Sequence, residues 1–302
     1  MDRPKIIKSN VSLKPYNTWK VGGEAEYFAL PNDIDELKTV IGWAHSQKIK
    51  INLLGDGSNV LISEPKVTGL TVVLKNLVGL DVFEREGCLE IEAWAGASKA
   101  ELLKVFLSYK LPPALFLTGL PGNVAGGVVM NAGVAENRNP REFFQIVKWV
   151  EVLRFENLEI ERISADSIEW TYRKSKGWQP GVITRVGLSW PLSEVDPEIM
   201  KKIKQATRNR IQKQPISLPS CGSVFKNPRP LSSGALIDQA GLKGFAIGGA
   251  AVSKKHANFI ITNDQGTAQD VHELIEHVKS EVKTKHNVDL TSEVVYFGDW
   301  LK

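Results

Sequence analysis

Twenty-five consecutive residues, from Leu111 to Ala135, carry no formal charge. A run of that length can cross a bilayer if it forms one helix. This one cannot, because Pro112, Pro113 and Pro121 remove helix donors, and Gly119, Gly122, Gly126, Gly127 and Gly133 weaken whatever remains. The stretch must fold as a glycine-rich loop system with short elements between the breaks. Backbone stripped of side chains lets a ligand lie directly against it. The rest of the chain has to frame that region. At 302 residues, 42% hydrophobic and 24% charged, it has the composition of a soluble globular protein with core enough for two or three domains. Disorder, collagen and coiled-coil classes are excluded. A net charge of +4 permits an anionic ligand without arguing for nucleic acid. Two cysteines, Cys88 and Cys221, supply neither a disulfide framework nor a metal set and suit a reducing compartment. The segment "MDRPKIIKSN" lacks an apolar core, so no signal peptide is expected.

Strand and helix patterns alternate around the glycine-rich region. "EYFALP" reads as a strand, and Asn32 caps a helix from Asp33 with Ile34, Leu37, Val40, Ile41 and Ala44 on one face. "INLLG" is a buried strand ending in "GDGSN", after which "VLIS", "GLTVVL" and "CLEIEAWAG" are strands. Ser98 and Glu101 form a capping box for a helix carrying Leu102, Leu103, Phe106 and Leu107. "FQIVKWVEVLRF" and "GVITRVGLSW" are strands flanking a polar hairpin and "WTYRKS". Near Pro191 the texture changes to a basic helix, 197–213. "SVF", "FAIGGAAVS" and "NFIIT" follow, then a helix capped by Thr267 and Asp270 that buries Val271, Leu274, Ile275, Val278 and Val282, and last the strand "SEVVYFG". No internal repeat is evident. The expectation is an α/β or α+β protein with mixed sheets and a boundary near 191–197.

Several stretches carry chemistry. In "GDGSN", Gly55 and Gly57 permit positive φ, so successive N–H groups can face one concavity that binds phosphate oxygens. A tight hairpin turn fits the same spacing. The third glycine of a dinucleotide fingerprint is absent, since position 60 is Val. "GLPGNVAGGVVMNAG" spaces Gly122 and Gly127 like a P-loop but continues with Val128 and Val129, which argues against nucleotide hydrolysis and leaves a second backbone nest or a close-packed loop. Two nests suggest a diphosphate. "HELIEH" places His272 and His277 five apart, about 140° around a helix, so they cannot ligate one ion; solvated positions and no metal site are expected. The helix "KKIKQATRNRIQK" reads as a solvated basic face, with no aromatic platform for nucleic acid. Arg173, in "WTYRKS", can clamp a carboxylate or make a surface salt bridge. "SCGSVFKNP" presents a hydroxyl, an ammonium and an amide between Ser223 and Asn227, more polar groups than a plain turn needs.

Taken in order, "NTWKVGG", "LGDGSN", "AGAS", "GLPGNVAGGVVMNAG", "TYRKS", "KQP", "CGSVFKNP", "AGLKGFAIGGAAVSKKHANFI" and "SEV" resemble the UDP-N-acetylenolpyruvoylglucosamine reductase family over nearly the whole chain. Each motif alone is weak, but nine in the right order are specific, and "SVFKNP" and "KHANFI" discriminate best. No tyrosine-bearing insertion is evident between 146 and 190, so the chain resembles the family's shorter branch. The resemblance implies an α+β fold: a two-part FAD-binding domain of the vanillyl-alcohol-oxidase/PCMH type at 1–74 and 75–192, then a substrate domain at 193–302. It implies bound FAD, NADPH as hydride donor, a nucleotide-sugar substrate, and a monomeric cytoplasmic enzyme of peptidoglycan precursor synthesis with neither nucleic acid nor membrane insertion. By motif position, Gly55, Asp56, Gly57, Ser58 and Asn59, with Thr118, Gly119, Pro121, Gly122, Asn123, Gly126 and Gly127, hold the cofactor. The same resemblance implies that Ser223 would protonate a carbanion stabilised by Arg173 and Glu293, and that Lys213, Asn227, Tyr172 and His256 would contact substrate.

Three positions depart from the commoner pattern. Asp56 stands where Gly is frequent and sets an anion near the diphosphate unless it points outward. Cys221 replaces Ala, as a packed thiol whose reactivity is open. "LTSEV" lacks the usual Pro before Glu293. Two rival classes remain: another flavin oxidase or dehydrogenase, which should lack "SVFKNP", and a silent nucleotide-binding module, which should have lost Ser223, Arg173 or Glu293.

Overall fold

A computed structural model describes residues 2–134, 139–228 and 230–300. The chain divides into two compact units, one of Met1–Lys8, Phe28–Asp56 and Leu70–Arg208, the other of Ser9–Tyr27, Gly57–Gly69 and Asn209–Lys302.

The first unit contains a helix, Ile34–Ser46, and a parallel strand pair in which Ile51–Leu54 runs beside Leu70 to Val73. The helix buries Leu37, Val40, Ile41, Trp43 and Ala44. Its cap is Asp33, one residue later than expected, and accepts from the Glu36 N–H at 2.8 Å. Asn32 instead donates its backbone and side-chain N–H groups to the Glu36 carboxylate. A five-stranded antiparallel sheet follows, ordered Leu80–Arg85, Cys88–Trp94, Val182–Pro191, Val147–Leu153 and Ile160–Ser164. Leu89, Ile91 and Ala93 alternate into the core, where they meet Leu102 and Phe106 of the helix Lys99–Ser108, whose Ser98–Glu101 capping box is formed as expected. Strand Leu80–Arg85 was not expected, because it is largely exposed and shows no apolar alternation.

The uncharged stretch becomes two short helices, Pro113–Leu117 and Val124–Val129, joined by the loop at Gly119 and Gly122. It lacks charge because Ala114, Phe116, Leu117, Val124, Ala125 and Val128 are buried in this unit's core. Its last residue, Ala135, lies outside the described residues. A hairpin, Glu169–Thr171 with Lys174–Lys176, carries Arg173 at its tip.

The second unit gathers three separated pieces of chain around one core of Trp19, Val21, Leu61, Val224, Phe225, Leu236, Leu274 and their neighbours. Trp19 is fully buried, and its indole N–H donates to the Ile260 carbonyl at 2.8 Å. Helix Ala268–His286 starts at the Thr267–Asp270 capping box and buries all five expected side chains, each contributing about 1.5–3 kcal/mol. A small antiparallel sheet joins Ala246–Ile247, Ala250–Val252 and Ile260–Thr262, and Val60–Ile62 runs parallel to Val295–Phe297. "SVF", expected as a strand, makes one bridge, Phe225 to Ser292.

The basic helix Ile199–Lys213 buries only Ile199 and leaves Met200 and Ile211 exposed, as a solvated face should. Among the described residues, no helix is long and apolar enough to cross a membrane.

Candidate active site

The two strands flanking "GDGSN" pair with other strands, not with each other, so the segment is not a hairpin turn. Gly57 has φ +63°, and a Cβ there would strike the Tyr16 carbonyl oxygen and lie 2.6 Å from Asn17 Cα. Gly55 corrects the sequence reading. It lacks positive φ and is needed for close approach, since a Cβ would lie 2.8 Å from Asn123 Nδ2. Ser58 is half-buried. Asn59 Nδ2 donates to the Glu293 carbonyl at 3.0 Å, and its own carbonyl accepts from Val295 N–H at 3.0 Å.

In the second loop Gly119 and Gly122 take positive φ, +78° and +94°. Thr118 is buried and donates its hydroxyl to Ala114 at 2.9 Å. Asn123 caps the following helix through Oδ1, which accepts from Gly126 N–H at 2.9 Å, while its buried Nδ2 has no partner among the described residues. Gly126 and Gly127 are helical, and a Cβ on Gly127 would enter the Phe143 ring. Lys99 lies under this loop, 5% exposed, with Nζ donating to the Pro121 carbonyl at 2.8 Å. Burial lowers its pKa to about 8, with the Asp56 carboxylate opposing that shift and Arg173 adding to it. Asp56 is half-buried, not turned out to solvent. Burial pushes its carboxyl up, while Lys99 and Lys75 pull it down.

Arg173 occupies the left-handed region at φ +57°, a conformation that costs a non-glycine residue about 1–2 kcal/mol and persists only when its surroundings hold it. Nη2 donates to the Gly133 carbonyl at 2.9 Å, and the guanidinium sits 4.6 Å over the half-exposed Tyr172 ring. The hairpin is tied down by buried Asn131, whose Nδ2 donates to the Thr171 carbonyl at 3.1 Å.

In the second unit Gly222, at φ +85°, presents Ser223 half-buried, with a hydroxyl that has no partner among the described residues. The next residues are clamped. Val224 N–H donates to the Asn258 carbonyl at 2.9 Å, Phe225 N–H to Asn258 Oδ1 at 2.9 Å, and Asn258 Nδ2 to the Phe225 carbonyl at 2.8 Å. Glu293 N–H donates to the Val224 carbonyl at 2.8 Å, so Ser223 and Glu293 stand on neighbouring backbone. Glu293 precedes the strand Val295–Phe297 and is half-buried, and Val295 is 42% exposed, so that strand face is not a buried one.

Cys221 is buried, and burial, then the Glu293 charge, pushes its thiol far up, which makes it an unreactive packed residue. Asn227 is exposed, and its Oδ1 accepts from Ser233 N–H at 3.0 Å. Lys213 is exposed at its helix end. Half-buried His256 accepts from Asn258 N–H through Nδ1 at 3.2 Å, and burial lowers its pKa, which favours neutral imidazole. His272 and His277 are not simply solvated: the first lies 3.0 Å from the Tyr296 hydroxyl and the second stacks on Phe245. Among the described residues no cluster of three or more metal-ligating side chains occurs.

A family model described as an FAD binding domain matches residues 25–164, and one described as the C-terminal domain of UDP-N-acetylenolpyruvoylglucosamine reductase matches 214–297. A UDP-N-acetylenolpyruvoylglucosamine reductase of Prochlorococcus marinus is 34% identical over 294 residues, covering 97% of this chain and 98% of the relative. One from Caldanaerobacter subterraneus is 38% identical over 294 residues, covering 96% and 93%. The chain belongs to the UDP-N-acetylenolpyruvoylglucosamine reductase family. The solved structure of the Thermus caldophilus reductase superposes with a TM-score of 0.77 at 29% identity, covering 96% of this chain and 98% of that one. The expected order, an FAD-binding part and then a reductase C-terminal part, is that of the two matched models.

Membership makes the chain an FAD-dependent oxidoreductase, and its residues fit that cofactor. Asn123 Nδ2 is a buried donor lacking an acceptor among the described residues, Gly119 and Gly122 take positive φ in the same loop, and Lys99 brings a buried cation. Lys99, Asn131 and Asn258 escaped the sequence reading. Lys99 sits in a first helical turn that reads as solvated, and its burial comes from a distant loop. Asn258 falls inside "KHANFI", but nothing local in that segment shows that it clamps Phe225.

Proposed function

We propose that the chain reduces the enolpyruvyl group of UDP-N-acetylenolpyruvoylglucosamine to give UDP-N-acetylmuramate, with NADPH as electron donor. FAD, held by two loops of the chain, would supply the two-electron chemistry that links NADPH to the terminal carbon of the double bond. The loops of Gly55, Asp56, Gly57, Ser58 and Asn59, and of Thr118, Gly119, Pro121, Gly122, Asn123, Gly126 and Gly127, bind the cofactor. Arg173 stabilises the charge that develops beside the substrate carboxylate; a guanidinium fixed in advance needs no reorganisation when that charge appears. Glu293 shares in this stabilisation. Ser223 delivers a proton to the carbon next to the carboxylate, which a weak acid can do when held within hydrogen-bond reach of a strongly basic carbanion. Lys213, Asn227, Tyr172 and His256 contact the nucleotide sugar. The working division is 1–74 and 75–192 for FAD and 193–302 for substrate, in a monomeric cytoplasmic enzyme serving cell-wall synthesis, and through it cell shape and division.

The observation that supports this reading most is the Ser223 hydroxyl, half-buried and without a partner among the described residues, on backbone paired to that of Glu293. A hydroxyl kept out of internal hydrogen bonds is available to a reacting atom. The test is anaerobic: reduce the purified flavoprotein with NADPH, then add UDP-N-acetylenolpyruvoylglucosamine. Flavin absorbance should return with formation of UDP-N-acetylmuramate. A reduced flavin that persists refutes the substrate; a flavin that NADPH leaves oxidised refutes the donor.

A further inference from the structure

Among the described residues, Lys99 is the only charged side chain that is buried. An ammonium out of water is costly unless its donors and charge are met. Of its three N–H donors, one has a partner among the described residues, the Pro121 carbonyl; the Phe143 ring lies 5.6 Å from Nζ, too diffuse to replace the others. Beside it is a second unfinished group. Ser98 and Asn123 form an antiparallel bridge, the Lys99 N–H donates to the Gly122 carbonyl at 3.1 Å, and the buried Nδ2 of Asn123 has no acceptor. A cation and an amide with spare donors thus flank one loop of the first unit, and an oxyanion ligand would complete both.

The charged groups around Lys99 are Asp56 from the loop after Ile51–Leu54, which attracts it, and Arg173 from the hairpin tip, which repels it; Lys75 acts on Asp56 from the turn after Lys66–Val73. A diphosphate entering beside Asp56 meets a carboxylate of its own sign.

We propose that Lys99 is a cofactor-binding residue of this chain, whose ammonium supplies positive charge to the FAD diphosphate and cancels the Asp56 carboxylate that would otherwise repel it. The proposal rests on the FAD reading above and extends it to a residue that no motif marks. Lys99 and Asp56 then work as a pair: the lysine permits an acidic residue in a loop that faces phosphate. The sign of the pH dependence follows. Without FAD the ammonium loses its proton near pH 8, and an anion bound beside it raises that pKa. FAD affinity is therefore full below about pH 8 and falls as pH rises above it.

The experiment dilutes full-length holoprotein and reads released FAD by its fluorescence, below and above pH 8, for wild type, Lys99→Met, Asp56→Asn and the double variant. Lys99→Met should raise the FAD Kd about tenfold below pH 8, the effect of losing one partly screened charge contact, and should flatten the rise in Kd above it. Asp56→Asn should lower the Kd several-fold, and the double variant should fall between. A Lys99→Met protein that keeps both the wild-type Kd and its pH dependence overturns the proposal, even if its melting temperature drops, because Lys99 would then only tie the loop. Should Lys99→Met fail to fold, Asp56→Asn decides: tighter FAD supports the pair, and unchanged or weaker FAD overturns it. A wild type that binds no FAD overturns the cofactor reading and the proposal together.

Discussion

Replacing Asn258 with alanine tests how the segment that carries Ser223 is held. Asn258 is 4% exposed, and its amide makes two hydrogen bonds to the backbone of Phe225, itself 2% exposed, at 2.9 and 2.8 Å. Truncation leaves a buried N–H and a buried C=O without partners, at about 1–3 kcal/mol each. The bond from Val224 N–H to the Asn258 carbonyl is backbone and survives. The expected loss is therefore about 2–6 kcal/mol, large against the roughly 5–15 kcal/mol that holds most proteins folded. In urea, with a slope near the upper end for a chain of this size, about 3 kcal/mol per molar, the midpoint should fall by about 0.7–2 M, read by tryptophan fluorescence. Function should fail on one side only: FAD stays bound and NADPH still reduces it, while substrate reduction slows because Ser223, two residues before Phe225, loses its anchor. Asn258→Asp keeps an acceptor for the Phe225 N–H but turns an oxygen toward the Phe225 carbonyl, so it should also be destabilised. An alanine variant within about 0.5 kcal/mol of wild type would refute the clamp, since that is the range of changes that touch nothing.

Gly57→Val should yield protein lacking FAD, because a β-branched residue at φ +63° is strained by about 1–2 kcal/mol and its Cβ strikes Tyr16 and Asn17; a flavin-to-protein absorbance ratio equal to wild type would contradict this. Ser223→Ala should leave NADPH-to-flavin transfer near normal and slow substrate reduction by about a hundredfold or more, the typical range for loss of a positioned proton donor; stopped-flow traces in which both halves slow equally would point to a structural role. Glu293→Gln should keep fold and FAD and cut kcat without a matching rise in KM, the pattern of an interaction made mainly in the transition state, and unimpaired turnover would move the assignment elsewhere.

What was legible in the sequence was what local chemistry determines. Helix Ala268–His286 was readable because Thr267, Asp270 and five apolar residues at helical spacing all lie within one segment. The order of the motifs pointed to the family. What failed depended on distant chain. Gly55 looked like a φ-positive residue and is instead small because Asn123 approaches it. Strand Leu80–Arg85 carries no alternation because both its faces are largely wet, and it exists only through its pairing with Cys88–Trp94. Lys99 occupies an ordinary first-turn position, and only the loop at Pro121 buries it.

The three-piece construction of the second unit sets the order in which it can be made. Trp19 finds the Ile260 carbonyl 241 residues later, and Ser63 receives the Asp299 N–H across 236. At ribosomal rates of about 5–20 residues per second, the early pieces wait roughly 10–50 s for these partners. Throughout that interval Trp19, Val21 and Leu61 have no core to enter, and Val60–Ile62 is an open strand edge of the kind other chains can pair with. A nascent chain of this protein thus carries unmet apolar surface and an unpaired strand edge through most of its synthesis, and truncation anywhere before Val295 leaves that edge without its partner.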